Sequence, residues 1–406
     1  MADAANTPAP LSHAAKLFAF ATIMAGTVMG LAGLDLVLPS VPFFPEIFGT
    51  TTAKTQMVLA SFVAGTMFGL IAFGSFAARF GRRKLFLGSL LAYAATSFLA
   101  AYSPNIETLI GVRFLQGFAA AGSGVLAPGL IRHLFSELGA VRAISFMGSV
   151  EALVPGLAPL AGAALHSLYG WTASFLITAG LLAFICLIVF IRPSLLPSIG
   201  TKANMRPGSY KALLKNHTYL RYALGHAAVL GGLLVFVFSA PAVIIKTMGG
   251  GIEDFIYMQM VGVTCFILSA NFSGNLVKRW GAETTIWLGS ILSAIGSLIL
   301  LAYSLYGNSD PATLKYLFWV LNIGLGIRGG TGFFMALKSA HDDDDRAAAL
   351  ILVAVMAIAA GMTAIVAPFL ENGLIVVTSA TCLIILPVVV LMALIKPFED
   401  PEPEAS

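Results

Sequence analysis

The chain has 406 residues, of which 58% are hydrophobic and only 10% charged, with a mean hydropathy of +0.91 and a net charge of +4. Soluble domains carry roughly 25% charged residues, so a soluble fold of this length would lack polar surface to cover its core, and the surplus apolar surface must face lipid. The small positive balance is the ordinary excess of basic residues in loops on one side of a membrane and not a nucleic-acid signature.

One helical pass takes about 20 apolar residues. About twelve such stretches are predicted, at 15–38, 55–77, 85–102, 107–132, 142–165, 172–191, 218–245, 255–277, 284–306, 313–337, 347–370 and 374–395. Barrel strands would alternate in polarity, and lipid cannot satisfy exposed backbone groups, so helices are expected. The expected fold class is an all-α polytopic membrane protein of about 12 transmembrane helices in two six-helix halves. Residues 1–14 and 396–406 are expected as cytoplasmic tails, 15–191 and 218–395 as the two bundles, and 192–217 as the linker between them. Lys16 opens the first apolar run, and no small-residue cleavage site follows it, so this segment is expected to stay as the first helix.

The first span ends in Asp35-Leu36-Val37-Leu38-Pro39-Ser40-Val41-Pro42. Asp35 is one of the few acids within a span; its competing reading is a cap or a contact with the loop holding Glu46. Between spans two and three runs Gly74-Ser75-Phe76-Ala77-Ala78-Arg79-Phe80-Gly81-Arg82-Arg83-Lys84. Its glycines permit close helix approach and a tight turn, and its arginines can cap helix C-termini; a plain basic loop is the alternative. Span four carries Leu109-Ile110-Gly111-Val112-Arg113-Phe114-Leu115-Gln116-Gly117. An intramembrane arginine costs about 2.5–3.5 kcal/mol on insertion scales, so Arg113 is expected to face a cavity or partner, unless it snorkels to the interface. Glu107 lies near an outer helix end.

Span five holds Glu151-Ala152-Leu153-Val154-Pro155-Gly156-Leu157-Ala158-Pro159-Leu160-Ala161-Gly162. Pro155 and Pro159 remove backbone donors and bend the helix, while Gly156 and Gly162 allow close packing. Glu151 lies deep enough that a solvated position fits poorly; a cavity-facing role and a structural hydrogen bond compete. In the second half, His226 reads as a packed histidine more readily than as a proton relay, and Arg328, among Gly326, Gly329 and Gly330, is the cation to watch. Gly274 and Gly281 repeat Gly74 and Gly81 at an offset of 200 residues, with Lys278 and Arg279 in the second loop. The run His341-Asp342-Asp343-Asp344-Asp345 lacks calcium-loop spacing and is expected as a solvated loop, with Asp344 or Asp345 at a helix N-terminus. Cys186, Cys265 and Cys382 lie in apolar stretches without metal spacing.

Of the 23 Lys and Arg, only Lys54, Lys246 and Lys315 fall on the other side when the N-terminus is inside, with Arg113 and Arg328 within spans. Both termini are therefore expected to be cytoplasmic. No Gly-x4-Gly-Lys-Ser/Thr loop, hydrolase triad or metal constellation is present, so neither an enzyme nor an ATP-driven pump is expected.

Taken together, the loop motif, the Arg113 motif and the Pro- and Gly-rich stretch of span five resemble the major facilitator superfamily. The loop departs from the family pattern at Ala78, where an Asp is usual, and span five has Ala158 and Ala161 where Gly is commoner. Span five is similar to the stretch that marks drug antiporters, and Asp35-Leu-Val-Leu-Pro looks like the bicyclomycin and chloramphenicol resistance branch. That resemblance implies a multi-pass protein of the bacterial inner membrane, working without a cofactor and with the proton as coupling ion. It also implies helices one, four, seven and ten around a cavity containing Asp35, Arg113, Glu151 and Arg328. The expected partners are a small molecule, protons and the bilayer, and the expected state is a monomer. An acid sharing that cavity with Arg113 would be poised to exchange its proton as substrate arrives. The expected function is export of small amphipathic or drug-like compounds. A transporter of one defined solute is the alternative, and a membrane sensor that no longer transports is a more distant one.

Overall fold

The structure, a computed structural model, describes residues 12–191, 193, 196, 209–341 and 343–398. The outer parts of both expected tails, most of the expected linker and Asp342 lie outside the described residues. The described residues are helical almost throughout. The first helix, α1 (His13–Asp35), begins at Ser12, whose hydroxyl accepts the Ala15 N–H. It stops where Pro39 and Pro42 impose a 3-10 turn over Leu38–Phe43, followed by the short α2 (Phe44–Phe48). Next come α3 (Thr52–Phe80), α4 (Arg82–Ala101) and α5 (Ile106–Leu134). Thr51 and Asn105 cap α3 and α5 by accepting a first-turn N–H.

The expected span 142–165 is not one helix. It consists of α6 (Glu137–Glu151) and α7 (Val154–Tyr169), bent by 41° at Ala152 and Leu153. Pro155 lies in the first turn of α7, where its missing N–H costs nothing, so the break falls just before it. The first half closes with α8 (Thr172–Ile191). After the short α9 (Tyr210–Leu213) come α10 (His217–Lys246) and α11 (Ile252–Tyr306). At 55 residues, α11 is far too long for one pass. Gly281 interrupts it with φ 82, so it comprises the two expected spans joined without a gap. The chain ends in α12 (Leu314–Ser339), α13 (Asp344–Val366) and α14 (Leu374–Leu394).

Ten of these helices are long and apolar enough to cross a membrane, and the bent pair α6–α7 makes one further pass. With α11 divided at Gly281, the described residues make twelve passes. Exposed Phe68, Leu91, Leu160, Phe190, Leu268 and Leu383 coat the flanks, as lipid contact demands.

The halves are built alike. In the first, α5 packs on α1, α3 and α4; in the second, α12 packs on α10 and α11. Gly81 and Gly281 both take φ near +80° at the turn, a conformation open to glycine at little cost. Gly74 and Gly274 also match. A Cβ at Gly74 would press on Ala349 of the second half at 2.9 Å, and one at Gly274 on Arg142 of the first at 2.6 Å. The offset of 200 residues thus marks one structural device used twice.

The halves meet through α3, α5 and α6 on one side and α11, α12 and α13 on the other, while α1, α7, α8, α10 and α14 pack chiefly within their own half. The seam starts at the basic end, where Arg82, Arg132, Arg142, Lys278, Lys338 and Arg346 gather. It climbs α6 through Ser145 to Ser273 (3.1 Å) and Ser149 to Asn271 (2.9 Å). Beyond Glu151, α7 turns back onto α1 and α8, within its own half.

Candidate functional site

Arg113 is 0% exposed. Its Nε donates to the Val58 carbonyl at 3.3 Å, and Nη1 donates to the Gly33 carbonyl at 3.1 Å and to Gln116 Oε1 at 2.6 Å. Gln116 passes the chain on to Ser97 Oγ at 2.7 Å. The guanidinium also lies 4.1 Å from the centre of the Phe62 ring, a desolvated cation–π contact worth up to about 2 kcal/mol. Gly117 lets α3 approach, since a Cβ there would strike the Phe62 backbone. Nη2 has no hydrogen-bond partner among the described residues. Arg113 therefore does not snorkel; it ties α5 to the backbones of α1 and α3.

Among the described residues Arg113 makes its hydrogen bonds to backbone carbonyls and to Gln116, and not to the Asp35 or Glu151 carboxyl. Among the described residues neither carboxyl has a basic ion-pair partner. Arg113 reaches the α1 backbone two residues before Asp35, whose side chain is half-buried at the helix end. Glu151 faces the Thr27 hydroxyl, eight residues earlier on α1, or about 12 Å lower at 1.5 Å per residue. The two acids thus sit at different heights along one helix. Glu151 closes α6, which is bonded to the other half through Ser145 and Ser149, and Asp35 closes α1. Glu107, by contrast, is exposed and paired with Lys54 on the surface.

The proline-rich segment divides its labour. Gly162 is buried against α1, where a Cβ would meet the Leu36 carbonyl, whereas a Cβ at Gly156 meets nothing within 4 Å. The expectation that both glycines serve close packing is corrected: only Gly162 does so. Pro159 lies within α7. In the second half, Arg328 is also 0% exposed and donates Nη1 to the Gly225 carbonyl of α10. Its Nε and Nη2, and Nδ1 of neighbouring His226, lack partners among the described residues. His226 packs edge-on against Phe333 at 5.2 Å, and buried Gly329 borders open space. Both intramembrane arginines therefore reach back to the first helix of their own half.

The acidic run is a second correction. Asp344 and Asp345 do open α13, as expected, but they are 1% and 5% exposed rather than solvated. Arg82 Nε donates to Asp345 at 2.8 Å, Arg132 pairs with Asp344 and also donates to the Leu337 carbonyl at 3.2 Å, and His133 lies 2.6 Å from Arg82. Lys338 and Glu137 add an ion pair across the seam at 2.9 Å, and Arg142 donates to Asn275 at 3.2 Å. Asp343, just ahead of α13, is raised above the ordinary carboxylate range by burial, with Arg346 at 2.9 Å pulling the other way. The loop arginines do not cap as a group: Arg82, Arg83 and Lys84 begin α4, and only Arg79 lies in the last turn of α3. Basic side chains at a helix N-terminus oppose its dipole, and the carboxylates of α13 supply the compensation for Arg82.

One ion pair, with its arginine buried and its carboxylate half-exposed, escaped the sequence reading. Arg221 of α10 forks onto Glu283 (2.9 Å for one bond) and onto the Met392 carbonyl, while Tyr222 donates to Glu283 at 3.0 Å. Beside it the Phe398 N–H donates to the Tyr222 oxygen at 3.1 Å, and the Lys338 ammonium lies 5.6 Å from the Phe398 ring centre. The position of Arg221, four residues inside an apolar stretch, was the available signal. Among the described residues no cluster of His, Cys, Asp and Glu could hold a metal.

The chain has known relatives. The chain is 26% identical to a chloramphenicol resistance protein of Pseudomonas aeruginosa, over 76% of this chain and 76% of that protein. It is 27% identical to a bicyclomycin resistance protein homolog of Haemophilus influenzae, over 72% and 73% respectively. Among solved structures, that of FucP, a transporter in the outward conformation, aligns with a TM-score of 0.75 at 13% identity, covering 93% of this chain and 99% of that one; the likeness at that identity is one of fold. The model of the Major Facilitator Superfamily matches residues 18–364, from the first pass into the eleventh, and the chain belongs to that superfamily.

Proposed function

We propose that the protein is a proton-coupled secondary transporter that exports small amphipathic or drug-like compounds from the bacterial cytoplasm by alternating access. One observation carries this reading: two carboxyl groups within the spans, Asp35 at the end of α1 and Glu151 at the end of α6 beside Thr27 of α1, have no basic partner among the described residues. A carboxyl free of a fixed counter-ion can lose its proton to one side and regain it from the other. Relatives named for resistance to chloramphenicol and bicyclomycin support export and drug-like cargo. The gathering of basic residues at the closed end supports a cytoplasmic location for that end and for both termini. A single chain supplies both halves of the pathway, with Arg113 and Arg328 holding the cavity walls in place.

The drive is adequate for such a task. One charge moving through roughly 100 mV is worth about 2.3 kcal/mol, and one pH unit about 1.4 kcal/mol. In energised inside-out vesicles carrying a pH-sensitive dye, several unrelated lipophilic compounds are expected to provoke proton release. Glu151→Gln or Asp35→Asn should abolish it. A response to one solute alone would replace the multidrug reading with a defined-substrate transporter. Full activity in both variants would remove these acids from coupling.

A further inference from the structure

The four basic residues of the loop after α3 are not equivalent. Arg82 turns inward to Asp345. Arg79 and Lys84 instead line a cavity of about 500 Å³ between α3, α4 and α5, walled by Phe73, Phe80, Leu85 and Phe118 and floored by Gly88 and Ala92. Among the described residues no carboxylate borders this cavity, and the first turn of α4 carries no acid. Lys84, in the first turn of α4, therefore meets the positive end of a helix dipole, and Arg79 reaches the same cavity from the last turn of α3. The cavity lies on the outer flank of the bundle, where Phe76, Phe80 and Leu91 are exposed, at the basic end of the spans. Gly88 is exposed, and a Cβ there would meet nothing within 4 Å, which leaves a shallow apolar trough running away from the charges.

We infer that this groove is a binding site for an anionic phospholipid, with the headgroup phosphate between Arg79 and Lys84 and an acyl chain along Gly88 and Ala92. Basic pockets between helices near the cytoplasmic surface suit phosphate headgroups, and the aromatic and small side chains above them suit a hydrocarbon tail. A free phosphate would use the cations but leave the apolar trough empty. The site is separate from the transport cavity, so its test does not depend on the proposed cargo.

The full-length protein, purified in mild detergent, is titrated with phosphatidylglycerol, and retained lipid is counted by native mass spectrometry. Retention of one phosphatidylglycerol is expected at concentrations at least tenfold below those needed for phosphatidylcholine. The double variant Arg79→Gln/Lys84→Gln should weaken retention about tenfold. Gly88→Trp, which keeps both charges and fills open space, should weaken it comparably. Lys211→Gln/Lys215→Gln, outside the groove, should not change it. Equal retention by wild type and the two groove variants would overturn the proposal, as would equal binding of the two lipids. Displacement by inorganic phosphate alone, with Gly88→Trp binding like wild type, would overturn it in favour of a free-anion site.

Discussion

Arg113 illustrates how one side chain can be a strut without being an ion-pair partner. Its bonds go to the Val58 and Gly33 carbonyls and to Gln116, so it joins three helices through a rigid fork. Lys offers the charge but not the planar geometry. Arg113→Lys is therefore expected to insert into the membrane yet lose at least tenfold in transport. Arg113→Ala should lose transport altogether and lower the thermal midpoint, because hydrogen bonds to a charged donor are worth about 1.5–3 kcal/mol each. Transport assays and thermal unfolding of the purified variants check both. Wild-type transport in Arg113→Ala would remove the residue from the mechanism. Burial of this arginine was legible in the sequence, because a cation inside an apolar stretch must be satisfied. Its acceptors were not legible, because backbone carbonyls carry no sequence signature.

At the scale of elements, the fifth pass is the most telling. Its lower half, α6, is bound to the opposite half through Ser145 and Ser149, while its upper half, α7, belongs to α1. Gly162 and Gly156 then predict opposite outcomes. Gly162→Ala forces a methyl into the Leu36 carbonyl and should cost about 1–3 kcal/mol, with loss of transport. Gly156→Ala meets open space and should stay within about 0.5 kcal/mol of wild type. Unfolding curves and vesicle transport distinguish the two, and equal loss in both would contradict the packing described. The prolines made the bend foreseeable. Its location at Ala152 and Leu153, and the asymmetry between the glycines, depend on which helix lies opposite, and periodicity along one chain does not report that.

For the whole molecule, the decisive contacts join residues more than 200 positions apart. Arg82 and Asp345, or Arg132 and Asp344, each looked like members of basic or acidic loops, and only the docking of α13 onto α3 and α5 turns them into one network. The loop lacks the usual Asp at Ala78, and its Arg82 pairs instead with the carboxylates of the other half. Twelve passes, two halves and the doubled glycine turn could be read from composition and spacing, since they follow from hydrophobic length and backbone conformation. Partner choice across the seam could not. Removing the negative charges takes the carboxylates from two part-buried arginines, a change that costs about 3–5 kcal/mol where a pair is fully buried and less here. Asp344→Asn/Asp345→Asn is accordingly expected to favour opening of the seam. With Cys265 replaced by Ser, thiol labelling at Ser273→Cys should accelerate about tenfold or more, as a shift of 1.4 kcal/mol already implies. Unchanged labelling would show that the seam is held by packing alone.

Phe398 hangs from the Tyr222 hydroxyl with its ring beside Lys338, the residue that bridges to Glu137. That placement makes the ring a natural spectroscopic antenna. A fluorinated phenylalanine incorporated at position 398 would have its resonance set by the adjacent ammonium, and the signal would shift whenever Lys338 let go of the facing half. Turnover could then be followed from the far end of the chain, with no label in the cavity and no residue of the translocation path disturbed.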